Sequence, residues 1–526
     1  MPEETNELKS MLPGMYDATQ LPADVLEYCD VIVVGSGAGG AVLAKELAEG
    51  GLKVVIVEEG GYHSEHHDLP SESLGRMYRD VGVTATIGRP MVAVPMGKCF
   101  GGSTTVNSGT CFRTPEPVLE RWRTEFGLPG LEPDRMDRVF SRVEQELHIQ
   151  PADFAVMGRP NLLVHEFLAR EGLHGAPLRR NAHKCEGCGT CCYGCTSGAK
   201  QAMNVSYLPK ALKAGARAYV NAEVKRILTG PGNAAQGIVA RAAVTGCKIT
   251  LRAPIVVIAC GTLLSPILMK KSGIARGNRH LGRHLTLHPA SKVVAEFEQR
   301  IDSWEGIPQA YSYEGLHDDG IMMEGISMPP DLGAAAVPFV GATLAHYIKR
   351  YAHMASCGFM ISDTTEGHLM RLPVLGYKFL YSMSKVDACR MRRAIAFLAR
   401  LFLKNGALRV YAMVSSRNNI FTSMQEVDCF ERTELPPGVI ESMAFHPLGT
   451  CRMAVSPGLG VCDPYHQVFG APGLYVCDGS VVPTPLGVNP QQTIMGLATR
   501  LAEHLLGKPL GPPQPVEENS APVPAT

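Results

Sequence analysis

Asp30-Val-Ile-Val-Val-Gly35-Ser-Gly-Ala-Gly-Gly40 opens a stretch that continues through Ala41-Val-Leu-Ala-Lys-Glu-Leu-Ala48 and Lys53-Val-Val-Ile-Val57 to Glu58. Val31–Val34 is a short, wholly apolar, β-branched run, which suits a parallel strand covered on both faces. Ala41 to Ala48 reads as a helix that buries Val42, Leu43 and Leu47, and Lys53 to Val57 reads as a second strand. The turn between them fits G-x-G-x-x-G through Gly35, Gly37 and Gly40. Gly35 permits the tight turn, Gly37 lets a pyrophosphate approach the backbone, with Ala38 just after it, and Gly40 lets the helix lie close on the sheet. The free N–H groups and dipole of that helix then face the phosphates. Glu58, at the end of the second strand, stands where a ribose diol needs an acceptor. The stretch therefore predicts a Rossmann-like, dinucleotide-binding α/β domain. It does not distinguish NAD from FAD.

The rest of the composition narrows the class. With 526 residues and 45% hydrophobic content the chain can bury a large core and form more than one domain. Its 50 basic and 50 acidic residues cancel and are mixed along the sequence, which argues against nucleic acid as a partner. Pro254 to Met269, the most apolar run, is broken by Gly261, Ser265 and Pro266 and falls short of a membrane span. The polar start MPEETNELKS has no signal-like apolar core, so a cytoplasmic location is expected. The 16 cysteines are then expected to be reduced thiols, some of them metal ligands.

A second glycine cluster, Gly97-Lys-Cys-Phe-Gly-Gly-Ser-Thr-Thr-Val-Asn107, could also bring backbone close to a flat or phosphorylated ligand. Together with Gly35–Gly40 and Glu58, with Leu281-Gly-Arg-His-Leu-Thr-Leu-His288-Pro289, and with the block from His446 to Asn489, it resembles the glucose-methanol-choline (GMC) oxidoreductases. Members of that family bind FAD and oxidise alcohols, and the four motifs follow the family's order across nearly the whole chain. The resemblance moves the expected cofactor to FAD. It assigns cofactor contacts to Gly101, Gly102, Ser103 and Asn107, to Val224 near the adenine, and to Asp478 and Gly479 near the phosphates or ribitol.

Alcohol oxidation requires hydride loss from carbon and proton loss from oxygen. Histidine titrates near neutrality and is the usual base. The resemblance makes His446 that base and Asn489 its companion on the alcohol oxygen. Cys451 reads as a small buried residue and His288 as structural.

The departure from the common family pattern is Cys185-Glu-Gly-Cys188-Gly-Thr-Cys191-Cys192-Tyr-Gly-Cys195. Two C-x2-C knuckles give Cys185, Cys188, Cys192 and Cys195 as metal ligands. Cys185, Cys188, Cys191 and Cys195 reproduce a ferredoxin spacing, which keeps Cys191 as an alternative. The loop reads as an iron–sulfur cluster, with structural zinc as the alternative. His63, His66 and His67 read as a solvated loop.

The expected organisation is a leader over 1–28 and a discontinuous FAD domain over 29–115, 200–289 and 441–510. A connecting region over 116–199 carries the cysteine loop, a substrate domain over 290–440 is built on a large mixed sheet, and 511–526 forms a disordered tail. The acids from Glu296 to Glu324 could recognise a cationic substrate such as an aminosugar, but solvated loops and strand edges are the simpler reading. Lys385 to Lys404 reads as an amphipathic helix on the core, with membrane-surface docking as the competing reading. The expected reaction is oxidation of a sugar, fatty alcohol or sterol hydroxyl, with electrons passing to oxygen or, through a cluster, to a redox carrier. A lyase or decarboxylase using the same flavin site, or an iron–sulfur redox module, are the alternatives. Neither the alcohol nor the oligomeric state is legible in the sequence.

Overall fold

The structure is a computed structural model that describes residues 11–64, 69–333, 337–416 and 418–511. Val31–Val34 is a central strand of a six-stranded parallel sheet. It pairs with Val54–Val57 on one side and Ile255–Ile258 on the other. Met15–Asp17 and Arg217–Val220 extend the first side, and Leu474–Val476 closes the second. Successive side chains alternate between two cores, as the pleat requires. Val31, Val33 and Ile56 pack with Leu43, Leu47 and Leu501, whereas Ile32, Val34 and Val55 pack with Trp122, Phe140 and Leu448. Burying each such side chain is worth about 1.5–3 kcal/mol, so this all-apolar run fixes the centre of the domain.

The helix after the turn spans Ala38–Glu49, beginning three residues before the expected Ala41. Gly37, in extended conformation, is its N-cap, and no side chain caps it. A Cβ on Gly40 would lie 2.1 Å from the Gly35 carbonyl, so the helix sits on the sheet only with glycine there. Alongside it packs the helix Gln491–Leu506.

Residues 15–28, expected as a leader, instead provide two edge strands. Met15–Asp17 pairs in parallel with Arg217–Val220, and Val25–Tyr28 flanks a four-stranded sheet completed by 222–229, 235–242 and 248–252. The run from Ala218 to Val224 breaks at Asn221, whose φ is +57°, and its two halves join different sheets.

Residues 290–421 build a seven-stranded sheet, which also takes in Ala176–Pro177. Its pairings are antiparallel throughout, where a mixed sheet was expected. An antiparallel sheet can present unlike faces. One face here is covered by the helix Lys385–Lys404, which buries Met391, Ile395, Leu398 and Phe402 against it. The basic side chains of that helix are paired, Arg393 with Asp319 and Arg400 with Asp428 and Glu431. These contacts are those of a helix docked on its own core.

Among the described residues no helix is long and apolar enough to cross a membrane. His66, His67 and all but the first residue of the expected tail lie outside the described residues.

Candidate active site

The carboxyl ends of the parallel strands open into a cavity of about 1380 Å³ whose other wall comes from the seven-stranded sheet. Ligands bind at that edge of open α/β sheets. Glu58 and Val224 line one part, and His446 and Asn489 line another. The volume suits a dinucleotide together with a substrate.

The two glycine loops meet at the cavity. Gly35 has φ +104°, and a Cβ there would lie 2.2 Å from the Ala259 carbonyl. Gly37 is different, because a Cβ on it would meet nothing within 4 Å. It faces open space at a helix N-terminus, which is the cradle a pyrophosphate needs. A Cβ on Gly102 would come within 2.9 Å of the Gly37 Cα, so the second loop backs directly on the first. Ser36 ties the loops to the acid: its Oγ donates to Glu58 Oε2 at 2.6 Å and accepts from the Gly101 N–H at 2.9 Å. Glu58 also accepts from the Ser36 and Gly60 N–H groups, while burial raises its carboxyl above the ordinary range.

Asp478 is buried and its oxygens are taken by chain donors. Oδ2 accepts from the Gly261 N–H and the Ser265 hydroxyl, and Oδ1 from the Ser480 N–H. It thereby holds together three segments that line the cavity, with Gly479 among them. The Ser103 hydroxyl accepts from Gly97 N–H. Asn107 donates to Gln491 Oε1 at 2.9 Å and fixes its loop to the start of the last helix.

His446 Nε2 and Asn489 Nδ2 stand 3.4 Å apart. The imidazole is only half-buried by area, yet protein surrounds it, and the loss of water pushes it down to about 4. His288 lies behind this pair. Its ring meets that of His446 edge-on, and its Nε2 accepts from the Leu486 and Gly487 N–H groups that lead into Asn489. Burial, then the neighbouring His446, lowers its pKa well below the usual imidazole value, so it stays the neutral acceptor those bonds need.

From the opposite wall Glu324 reaches the same place. Its Oε2 accepts from Asn489 Nδ2 at 3.4 Å and Gln309 Nε2 at 2.9 Å. Burial pushes its carboxyl up to about 7. His446 Nδ1, Asn489 Oδ1 and Glu324 Oε1 have no hydrogen-bond partner among the described residues.

The cysteine loop makes a separate small cavity lined by Cys185, Cys188, Cys191 and Cys195 together with the buried Arg180 and Lys200. Arg180 donates to Cys191 Sγ at 3.1 Å, and the Lys200 N–H to Cys195 Sγ at 3.3 Å. Lys200 Nζ donates to the carbonyls of Thr105, Asn107 and Cys191, joining this loop to the second glycine loop. Cys192, placed among the ligands from its knuckle spacing, turns away and lines the large cavity, while Cys191 takes its place. Among the described residues no three His, Cys, Asp or Glu side chains are already set to hold a metal ion.

The sequence matches the GMC oxidoreductase family over residues 74–290 and 371–498, and an FAD binding domain over 30–68. The chain belongs to the GMC oxidoreductase family. It is accordingly an FAD-dependent enzyme acting on alcohols. A GMC-type oxidoreductase of Mycobacterium tuberculosis is 35% identical over 490 residues, spanning 92% of this chain and 76% of that one. The long-chain-alcohol oxidase FAO4B of Arabidopsis thaliana is 28% identical over 89% of this chain and 66% of that one. Formate oxidase of Aspergillus oryzae RIB40 shares the fold, with a TM-score of 0.69 at 16% identity over 92% of this chain and 99% of that one.

Within this GMC oxidoreductase, His446 and Asn489 fall inside the second matched stretch and the cysteine loop inside the first. Gln309 and Glu324 lie between the two, and nothing in the sequence places either beside His446 and Asn489. Of the acids weighed there for substrate recognition, Glu324 alone is among the described residues lining the cavity. Glu296 is bound to Arg350, His346 and Tyr411, and Asp319 to Arg393.

Proposed function

We propose that this enzyme oxidises the hydroxyl of an alcohol with an apolar body to the aldehyde or ketone, with His446 as the base. The observation that carries the reading is the His446–Asn489 pair, 3.4 Å apart at the wall of the large cavity. FAD, when bound, supplies the hydride acceptor. The chain's own part is to hold the alcohol oxygen between His446 Nε2 and the Asn489 amide and to take its proton on the imidazole. A neutral imidazole is needed for that step, and burial keeps His446 neutral. The helix Gln491–Leu506 begins beside Asn489, and its positive end favours negative charge developing in the cavity. Ile326, Met328, Phe359 and Met443 give the cavity apolar walls. The likeness to a long-chain-alcohol oxidase supports an aliphatic substrate.

A panel of alcohols, followed by anaerobic bleaching of the flavin, tests the reading. Aliphatic primary alcohols are expected to bleach it, and a flavin that no alcohol bleaches overturns alcohol oxidation.

A second reading concerns the electrons. Four cysteine sulfurs around one small cavity, with buried cations on its wall, support an iron–sulfur cluster held by Cys185, Cys188, Cys191 and Cys195. Arg180 and Lys200 would offset part of the negative charge of a thiolate-held cluster. Such a cluster would pass electrons singly to a carrier; without it, oxygen is the direct acceptor. Anaerobic purification followed by iron and acid-labile sulfide analysis decides between them, and zinc in their place ends the relay.

A further inference from the structure

Glu324 sits on a strand of the seven-stranded sheet, yet it ends beside a catalytic pair supplied by the C-terminal block. Both of its hydrogen bonds fall on Oε2, from Gln309 and Asn489. Oε1 is buried and has no partner among the described residues. A buried acceptor left unmade costs about 1–3 kcal/mol, so a fold keeps one only where something else completes it. The carboxyl lines the large cavity, and a donor brought into that cavity would complete it.

The surroundings hold the acid in place. Gln309, which donates to it, is itself pinned by the Ser108 and Thr110 hydroxyls on its Oε1. Asn489 Nδ2 lies 3.4 Å from Glu324 Oε2 and 3.4 Å from His446 Nε2. The acid and the base thus flank one amide nitrogen at the wall of the same cavity.

Resting on the reading of His446 as the base for an alcohol, we propose that Glu324 is a specificity residue that hydrogen-bonds a second hydroxyl on the carbon next to the one oxidised, so that the preferred substrate is a 1,2-diol with an apolar tail. A hydroxyl suits this carboxyl better than an ammonium does. Burial brings the group to about 7, so both protonation states are populated near neutrality. A hydroxyl can donate to the carboxylate or accept from the acid, whereas an ammonium can only donate. Among the described residues no cation stands beside the carboxyl to mark it as half of an ion pair.

The test uses holoenzyme and anaerobic flavin bleaching with 1,2-octanediol, 1-octanol and 2-amino-1-octanol. For the wild type, kcat/KM is expected to be about 100-fold higher for the diol than for 1-octanol, because a site built for a hydroxyl rejects the analogue lacking it. Glu324→Leu should collapse the diol-over-1-octanol ratio of kcat/KM from about 100 to near 1, whatever it does to the absolute rates. Glu324→Gln, which keeps the shape and one acceptor, should retain most of the preference, and it serves if the leucine variant loses FAD. Equal wild-type rates for diol and 1-octanol overturn the diol assignment while leaving alcohol oxidation standing. Preference for the amino alcohol, or equal losses on both alcohols in Glu324→Leu, overturn it as well. If no alcohol bleaches the flavin, the underlying reading of His446 falls too.

Discussion

The imidazole of His288 meets that of His446 edge-on, with ring centroids 5.6 Å apart and planes at 74°. The same ring accepts two backbone N–H groups from Leu486 and Gly487, three and two residues before Asn489. One buried histidine therefore touches His446 and anchors the turn that leads into Asn489, although it lies in a different segment from either. Its own backbone is fixed in turn, since Asp363 accepts from the Leu287 and His288 N–H groups.

Replacing His288 by alanine leaves two buried N–H groups unsatisfied and removes the ring behind His446. A stability loss of about 2–4 kcal/mol is expected from the orphaned donors. Flavin reduction by substrate should slow about 10- to 100-fold with FAD retained, because a small misplacement of reacting groups is costly. Thermal unfolding and anaerobic stopped-flow measure the two effects separately. Unchanged reduction kinetics would show that His288 does not position the pair.

His446→Ala should slow flavin reduction at least ~100-fold, the scale of losing a general base. Burial holds the imidazole down to about 4, so it is neutral at every pH above roughly 5. The acid limb of the reduction rate is therefore expected between pH 4 and 5, well below the ~6.5 of a free imidazole. A limb at 6.5 in stopped-flow would mean that water reaches the ring in the working enzyme.

Glu324 makes a prediction about stability as well as specificity. Its folded carboxyl titrates at about 7, above its ordinary 4.5, so its favourable contribution is complete below pH 4.5 and is lost as pH rises through 7. Glu324→Gln removes that titration. The stability of the wild type relative to the variant should fall by up to about 3 kcal/mol between pH 4 and pH 8. Denaturant melts of the holoenzymes at both pH values read the difference directly.

Gly35 and Gly37 should respond in opposite ways to the same substitution. Gly35→Ala places a methyl 2.2 Å from the Ala259 carbonyl in a left-handed backbone and is expected to abolish FAD-loaded protein. Gly37→Ala meets nothing in the chain, so the apoprotein should fold, losing about 1 kcal/mol or less for the poorer N-cap. The added methyl intrudes only where the pyrophosphate is proposed to lie, and FAD affinity should drop about 10- to 100-fold by fluorescence titration. An unchanged affinity would move the pyrophosphate off this turn.

The legibility of these features in the sequence follows their range. Strand, glycine turn, helix, strand and Glu58 lie within 32 residues, each shaped by local sterics, and the structure reproduces them to within three residues. His446 and Asn489 stand out in the sequence because a motif set marks that block, not because their own neighbours are distinctive. Glu324 and Gln309 carry no local signal. They matter only because an antiparallel sheet from another segment forms the opposite wall of the large cavity. The strand Met15–Asp17 is equally silent, being three residues long and paired with a strand some 200 residues away. The choice between Cys191 and Cys192 was not legible either, because spacing alone allows both.

That choice is open to experiment. Cys191–Tyr193 forms a single tight helical turn ended by Gly194 at φ +111°, and adjacent side chains on such a turn diverge. Cys191 is thereby directed to the cavity shared with Cys185, Cys188 and Cys195, and Cys192 to the large one. The Tyr78 hydroxyl, donating to the Cys192 carbonyl at 2.8 Å, holds the turn in that sense. If the loop carries a cluster, Cys191→Ser should lower iron and acid-labile sulfide to less than half of wild type, whereas Cys192→Ser should leave both unchanged. Equal losses in the two variants, measured on anaerobically purified protein, would show that the turn rearranges around the metal.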